Sequence, residues 1–385
     1  MKDEFIFITF LNIPLVIFFI YLALNTERFK CSGIYYGVRV PNKYKDDKEI
    51  VSITEKYKKK IIFEIIITFL AISIISYFLS YIIVFVIGIL IVPIVFTIQY
   101  KNANKEILKV KKDKGWNSEF KGKIYVDLNV KGTEDDVKIN NKPFIIALII
   151  AITPLIITLL IYKSLPSTLA MQFDFSGNPS RVISTHTLGG FLELIMIPIL
   201  NIFIVFIFYI TTLYDFKKRK TQSLNGGTYN QIKFKDKITG EALNKLNGTS
   251  AVLTAVFLFL INIYLLKLIP QDKNTFLILM GGTGVFVLII ILVSIKAMND
   301  TTRSSKGDLN EKEYYRDDDE YYKLGMFYYN PLDPSILKEK RYGIGYDLNY
   351  GNIISKIIIG VCILCLLGSI ILTGINYMWG ALWNY

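Results

Sequence analysis

Eight blocks of mostly apolar residues, each close to twenty residues long, limit what this chain can fold into. They span 5–24, 61–79, 82–99, 143–162, 188–211, 251–269, 276–295 and 353–374. About 20 apolar residues in a helix cross a ~30 Å hydrocarbon core. Inside that core every backbone N–H and C=O needs a partner from the protein itself, and a helix supplies one locally. The pattern predicts an all-α integral membrane protein with about eight transmembrane helices and small mixed cytoplasmic inserts that have room for short strands. Only Ser80 and Tyr81 separate the second block from the third. One helix of ~40 residues would run ~60 Å, twice the hydrocarbon thickness, so a tight helical hairpin is expected. The first block follows Met1-Lys2-Asp3-Glu4 and no small-x-small site follows it, which reads as a retained anchor and not a cleaved signal peptide.

Charge fills the gaps between blocks. Lys and Arg outnumber Asp and Glu by 44 to 32, a net +12. In a soluble chain that excess would suggest a nucleic-acid partner. Here it alternates along the chain. Gaps 25–60, 101–142, 212–250 and 296–352 carry 10, 11, 8 and 9 basic residues, whereas 163–187 has Lys163 and Arg181 and 270–275 has Lys273 alone. Cytoplasmic loops hold the Lys/Arg excess, so every second gap is expected to be cytoplasmic. That places a multi-pass chain in the plasma membrane with both termini extracellular, and makes the net charge an orientation signal. No direct nucleic-acid contact is expected; the lipid bilayer is the first partner. The organisation follows: a three-helix part with basic loops (1–142), two helices joined by an outer loop (143–211), a cytoplasmic loop and two helices (212–295), a cytoplasmic module (296–352), and a last helix with a short outer tail (353–385).

Three loops carry more than charge. Residues 101–109 continue the third block as a basic helix, suited to orientation and solubility or to anionic lipid, and 123–130 alternate polar and apolar as a half-exposed strand does. In the outer loop, Gln172-Phe173-Asp174-Phe175-Ser176-Gly177-Asn178-Pro179-Ser180-Arg181 places alternating aromatics before a turn, which predicts a short hairpin. Its residues suit either a recognition surface or an interfacial aromatic belt. The longest inner loop holds the acidic run Asp317-Asp318-Asp319-Glu320, then Tyr321 to Pro334, then Lys340-Arg341-Tyr342-Gly343-Ile344-Gly345-Tyr346-Asp347-Leu348-Asn349. Its aromatic density is too high for disorder, and its Gly and Pro spacing predicts a small ordered module beneath the helices. Gly343 and Gly345 lack the strand, third glycine and helix of a dinucleotide fingerprint.

No catalytic set emerges. The chain has one histidine, His186, and three cysteines; zincin, nucleophile-elbow and phosphate-loop motifs are missing from the sequence. Cys362 and Cys365 lie in an apolar helix where packing explains them, and Gly281-Gly282-Thr283-Gly284 reads as close helix approach. Neither an enzyme, a metal site nor a cofactor is expected. Carboxylates within apolar blocks are functional candidates, and two qualify: Glu64 and Glu193. Glu64 lies one turn from Lys58-Lys59-Lys60 and suits an interfacial ion pair; as a pair with Glu193 it would suit a proton relay, although the two lie near opposite faces.

The loop motifs resemble known families. Leu165-Pro166 followed by Gln172-Phe173-Asp174-Phe175-Ser176-Gly177-Asn178-Pro179 resembles the bacterial membrane family called domain of unknown function 1648, with Gln172 where that family often has histidine and Ser180 where it often has aspartate. Residues 318–352 resemble domain of unknown function 5808 through Asp318, Tyr322 (in place of tryptophan), Gly325, Asn330, Asp333, Pro334, Arg341, Gly343, Gly345 and Asn349. Gly37-Val38-Arg39-Val40-Pro41 is similar to a recurrent Gly-x-Arg-x-Pro step of these proteins. The resemblance implies a Gram-positive plasma-membrane protein distantly similar to the sporulation-delaying toxin immunity protein, which protects its cell and sequesters a repressor. The leading expectation is a non-enzymatic immunity or signalling protein. Gln172, Phe173, Asp174, Gly177, Pro179 and Arg181 would sense an extracellular peptide. The 318–349 module would bind a cytoplasmic regulator protein, with Arg341 and Asn349 needed for it. A transporter using Glu64 and Glu193, or an envelope-maintenance protein without a ligand, are the rivals.

Overall fold

A computed structural model describes residues 13–14, 16–26, 33–78, 81–119, 138–173, 177–219, 229–303, 317–343, 345–361 and 363–364. Six long helices dominate: α1 (Lys48–Phe78), α2 (Tyr81–Asp113), α3 (Lys142–Ile161), α4 (Leu188–Arg219), α5 (Tyr229–Leu265) and α6 (Lys273–Arg303). Helical stretches at 16–24 and 353–361 flank them. Among the described residues there are also short 3-10 turns and four two-stranded antiparallel sheets: β1 (Ile34–Tyr35) with β2 (Val38–Arg39), β3 (Thr168–Phe173) with β4 (Pro179–Ser184), β5 (Tyr322–Lys323) with β6 (Phe327–Tyr328), and β7 (Leu337–Glu339) with β8 (Tyr346–Leu348).

Among the described residues, four segments are long and apolar enough to cross a membrane: Lys142–Ser164, Leu188–Lys217, Lys237–Leu265 and Lys273–Asp300. Their outward faces carry exposed Ile149, Leu160, Phe203 and Ile278, a surface that hydrocarbon solvates and water does not. Blocks 61–79 and 82–99 form the apolar parts of α1 and α2. Those helices run antiparallel, since Lys56 pairs with Glu106 at 2.9 Å while Glu64 accepts from Gln99 at 2.6 Å. Blocks 5–24 and 353–374, and the strand expected at 123–130, lie partly or wholly outside the described residues.

Small residues set the packing of the apolar helices. Ala147 and Ala151 of α3 and Ala251 and Ala255 of α5 are completely buried in one cluster. Gly248 continues the seam: a Cβ there would stand 2.9 Å from Pro143 Cβ. Lipid tails are as apolar as leucine, so helices associate by close van der Waals fit, which small side chains permit. Helix α4 joins them by polar contacts. Asn201 Nδ2 donates to the Ala255 carbonyl at 3.1 Å, and Asn247 Nδ2 to Thr212 Oγ1 at 3.0 Å.

The loops sort by charge. Arg39 and Lys111, from the first two basic gaps, contact 317–341 from the fourth. Tyr214, just past the fifth block, meets Tyr346 at 6.3 Å. At the other end, Phe173 of the sparsely charged 163–187 gap packs on Phe276 at 6.0 Å, and Gly177 lies against Lys273 and Phe276. Replacing Ala151 with Leu inserts a branched side chain where no space exists. The expected result is a loss of about 1–3 kcal/mol and a lowered melting temperature in detergent, whereas Ile149→Leu on the exposed face leaves it unchanged.

Candidate functional site

Two tight turns meet at the end of the helices where Arg39, Lys111 and 317–341 gather. Between β1 and β2, Tyr36 (φ 47°) and Gly37 (φ 79°) both take left-handed backbone, the twist-matched geometry of a two-residue hairpin. Tyrosine is costly there, and Asn104 of α2 secures it by donating from Nδ2 to the Tyr36 carbonyl at 2.7 Å. Between β5 and β6, Leu324 (φ 56°) and Gly325 (φ 77°) do the same. The turns are stacked so closely that a Cβ on Gly37 would lie 1.9 Å from the Gly325 oxygen. A Cβ on Gly325 would lie 2.5 Å from the Tyr36 oxygen. Glycine is required at both by backbone angle and by space.

Around this contact sit three cations and three carboxylates. Arg341 donates through Nη1 to the Gly37 carbonyl and to Asp319 at 2.7 Å, and through Nη2 to Asp318. Arg39 Nε donates to Asp318 at 2.9 Å, and its backbone N–H to Asp319 at 3.0 Å. Lys111 Nζ reaches Asp317 at 2.9 Å and Asp319 at 2.7 Å. The Arg341 guanidinium also lies 3.8 Å from the Tyr322 ring centre. Arg341 is only 3% exposed, and a charge so buried persists only when paired. Burial pushes the Asp318 carboxyl up, but Arg341 and Arg39 outweigh it and hold it below its ordinary range. An aromatic layer of Tyr36, Tyr57, Tyr100, Phe96 and Tyr342 underlies the cluster. Tyr342 also donates to the Leu22 carbonyl at 3.0 Å, tying in the 16–24 helix.

The rest of the module is organised by Asn349, which is fully buried. Its Nδ2 lies 2.9, 3.0 and 3.1 Å from the carbonyls of Asn330, Asp333 and Ser335. Its Oδ1 accepts from the N–H groups of Asn330 at 3.1 Å and Gly351 at 3.0 Å. Asp333 accepts from Ser335 N–H at 2.9 Å, Tyr328 at 2.9 Å and Lys338 at 2.7 Å. Burial raises Asp333, yet these donors, Lys338 foremost, hold it far below the usual carboxylate range. Pro334 offers its carbonyl to Asn352 at 3.1 Å. Gly343 and Gly345 (φ 84° and 92°) lie in the connection between β7 and β8. The motif residues thus build the module and dock it. Arg341 and Asn349, expected at a partner surface, are instead buried with their hydrogen bonds made inside the chain (Arg341 Nε excepted).

The 163–187 loop is a hairpin with an irregularity between Ala170 and Phe173. Phe173 faces the helices, 5.0 Å from the Tyr264 ring and 6.0 Å from Phe276. Gln172, Pro179 and Arg181 are exposed, and Arg181 pairs with Glu193 at 2.8 Å. Asp174 lies outside the described residues. His186 Nε2 lies 3.2 Å from the Leu165 carbonyl. Glu64 is held by Gln99 and by Lys60 at 3.8 Å. Glu64 and Glu193 are therefore both engaged by neighbours. Among the described residues no group of three or more His, Cys, Asp or Glu could hold a metal.

Sequence singled out neither Asn104 nor Lys111, and it marked Asp317 and Asp319 only as members of an acidic run. Arg39 was legible within Gly37-Val38-Arg39-Val40-Pro41 as a motif but not as a partner of the module; Lys111, one of 11 basic residues in its gap, gave no signal at all.

A model described as "Family of unknown function (DUF5808)" matches residues 331–356. The matched segment covers Asn349, most of the Asp333 turn and the first turn of the following helix, and it does not extend to the 168–184 hairpin. No curated protein and no solved structure matches the chain.

Asp319→Asn keeps the shape of the side chain but leaves buried cations short of a countercharge. Breaking such a pair costs about 3–5 kcal/mol, so limited proteolysis is expected to cut within 317–349 in this variant and not in the parent. Acid acts on the same bonds. Asp318 and Asp333 are lowered, so their stabilisation is complete well above the ordinary Asp value of about 3.9. It falls as pH drops through that value and is lost once pH passes below the depressed folded values. A pH series of the same proteolysis is expected to show protection at pH 6 to 7 and progressive loss below about pH 4.

Proposed function

We propose that this chain is a non-enzymatic, multi-pass plasma-membrane protein of immunity or signal-transduction type. In this reading it crosses the bilayer about eight times with both termini outside. The 168–184 hairpin senses an extracellular peptide, and the 317–349 module engages a cytoplasmic regulator protein. One observation supports it above the others: α4 and α5 touch both elements. At their outer ends Glu193 pairs with Arg181 and Tyr264 packs on Phe173. At their inner ends Tyr214 meets Tyr346, and Leu243 lies beside Gly345. A displacement of the hairpin is thereby delivered to the module through two rigid helices. The partner-facing surface is the exposed rim at Glu320, Lys323 and Leu324, because Arg341 and Asn349 are occupied internally. The transporter reading has less support, since Glu64 and Glu193 are each tied to a neighbour and not to a shared path.

Purification from native membranes is expected to recover a specific cytoplasmic protein, and Lys323→Glu to reduce that recovery several-fold while the module stays protease-resistant. An unchanged partner set counts against the proposal. A cysteine introduced at Asn178 should react with an impermeant maleimide on intact cells; labelling only from the cytoplasmic side overturns the topology and the sensing role with it.

A further inference from the structure

Leu332 is the most exposed large apolar side chain among the described residues, at 91%. A lone exposed leucine needs no explanation. This one is held out on a fixed mount. Asn330 Oδ1 accepts the Leu332 N–H at 3.0 Å, and Asn349 Nδ2 holds the carbonyls of Asn330 and Asp333 on either side. The mount lies alongside the helix that begins at 353. Asn352 donates to the Pro334 carbonyl at 3.1 Å, Ser355 Oγ to the Ile336 carbonyl at 3.0 Å, and Lys356 Nζ stands 5.7 Å from the Tyr329 ring centre. Gly351 abuts the same turn, for a Cβ on it would lie 2.5 Å from the Asn330 carbonyl carbon.

Residues 329–336 therefore flank 351–356, whose four helical residues 353–356 rise about 6 Å. The polar layer on each side of the hydrocarbon is of similar depth, roughly 5–8 Å. Exposed Ile353, Ile354 and Ile357 begin at this same level. Tyr329 beside exposed Lys356 combines an amphipathic ring with a cation able to reach headgroups, a pairing suited to membrane interfaces.

We propose that the 329–333 turn is an interfacial anchor, with Leu332 seated at the headgroup–acyl boundary of the leaflet that the 353–361 helix enters and Lys356 facing anionic headgroups. The occupant of this apolar tip is the lipid surface. The inference rests on the reading of the apolar helices as membrane-embedded, and the test separates the two.

Spin labels are placed singly on Leu332→Cys, Lys323→Cys and Ile149→Cys in the full chain with Cys31, Cys362 and Cys365 replaced by serine. The protein is reconstituted in phosphatidylethanolamine–phosphatidylglycerol vesicles, and label accessibility to oxygen and to a water-soluble nickel chelate is measured. The expected oxygen-to-nickel ratio at 332 is several-fold above that at 323 and approaches that at 149. A ratio at 332 equal to that at 323, with 149 in lipid, overturns the anchor alone. Shielding of 332 from both reagents means that protein covers the tip, and also overturns it. An aqueous reading at 149 removes the membrane reading and the anchor together.

Discussion

A cation buried in protein must keep its countercharge, and one end of this molecule is arranged around that requirement. Arg341, Arg39 and Lys111 come from three separate parts of the sequence, and Asp317, Asp318 and Asp319 neutralise them in one place. Few arrangements of the surrounding backbone satisfy all six charges at once, so the cluster specifies geometry as well as holding it. The cost of desolvating charges means that such a cluster contributes less net stability than its count of bonds suggests. Its effect is selective: docking in any other register would strand a charge.

Two glycine turns make the cluster reachable. Gly37 and Gly325 let two backbones approach more closely than side chains would permit, and only then does the Gly37 carbonyl meet Arg341. The aromatic layer beneath supplies apolar contact with α1, α2 and the 16–24 helix. Helices, hairpin and module are thus joined, although 296–352 reads in the sequence as a separate insert. On the far side the β3–β4 hairpin is fastened by Phe173 and by the Arg181–Glu193 pair, with α4 and α5 running between the two ends.

Much of this was legible in advance, for different physical reasons. Apolar blocks report membrane-spanning helices because hydrocarbon admits little else, and four such segments stand in the described structure. The 168–184 hairpin was legible from alternating aromatics before a Gly-Asn-Pro turn. The module was legible as ordered from its density of tyrosine, glycine and proline, and the matched family segment falls inside it and one turn beyond. The direction of its motif residues was not. Arg341 and Asn349 look like recognition residues when read as letters, yet they lie inward, because a polar side chain at a turn can serve its own backbone as readily as a partner.

Sequence alone determined the helical class, the span of the apolar blocks and the sorting of charge between loops, since these follow from local composition against a fixed solvent thickness. Tertiary structure decided which charges meet. Nothing in the spacing of Lys111 from Asp319, or of Gly37 from Gly325, announces a contact, because each pairing depends on how α1, α2 and the module fold back on one another. It also decided that Glu64 and Glu193 have separate neighbours, Gln99 and Arg181, and do not form a shared path. Long-range partners are fixed by shape and by the demand that buried charge be neutralised, and a single sequence records neither.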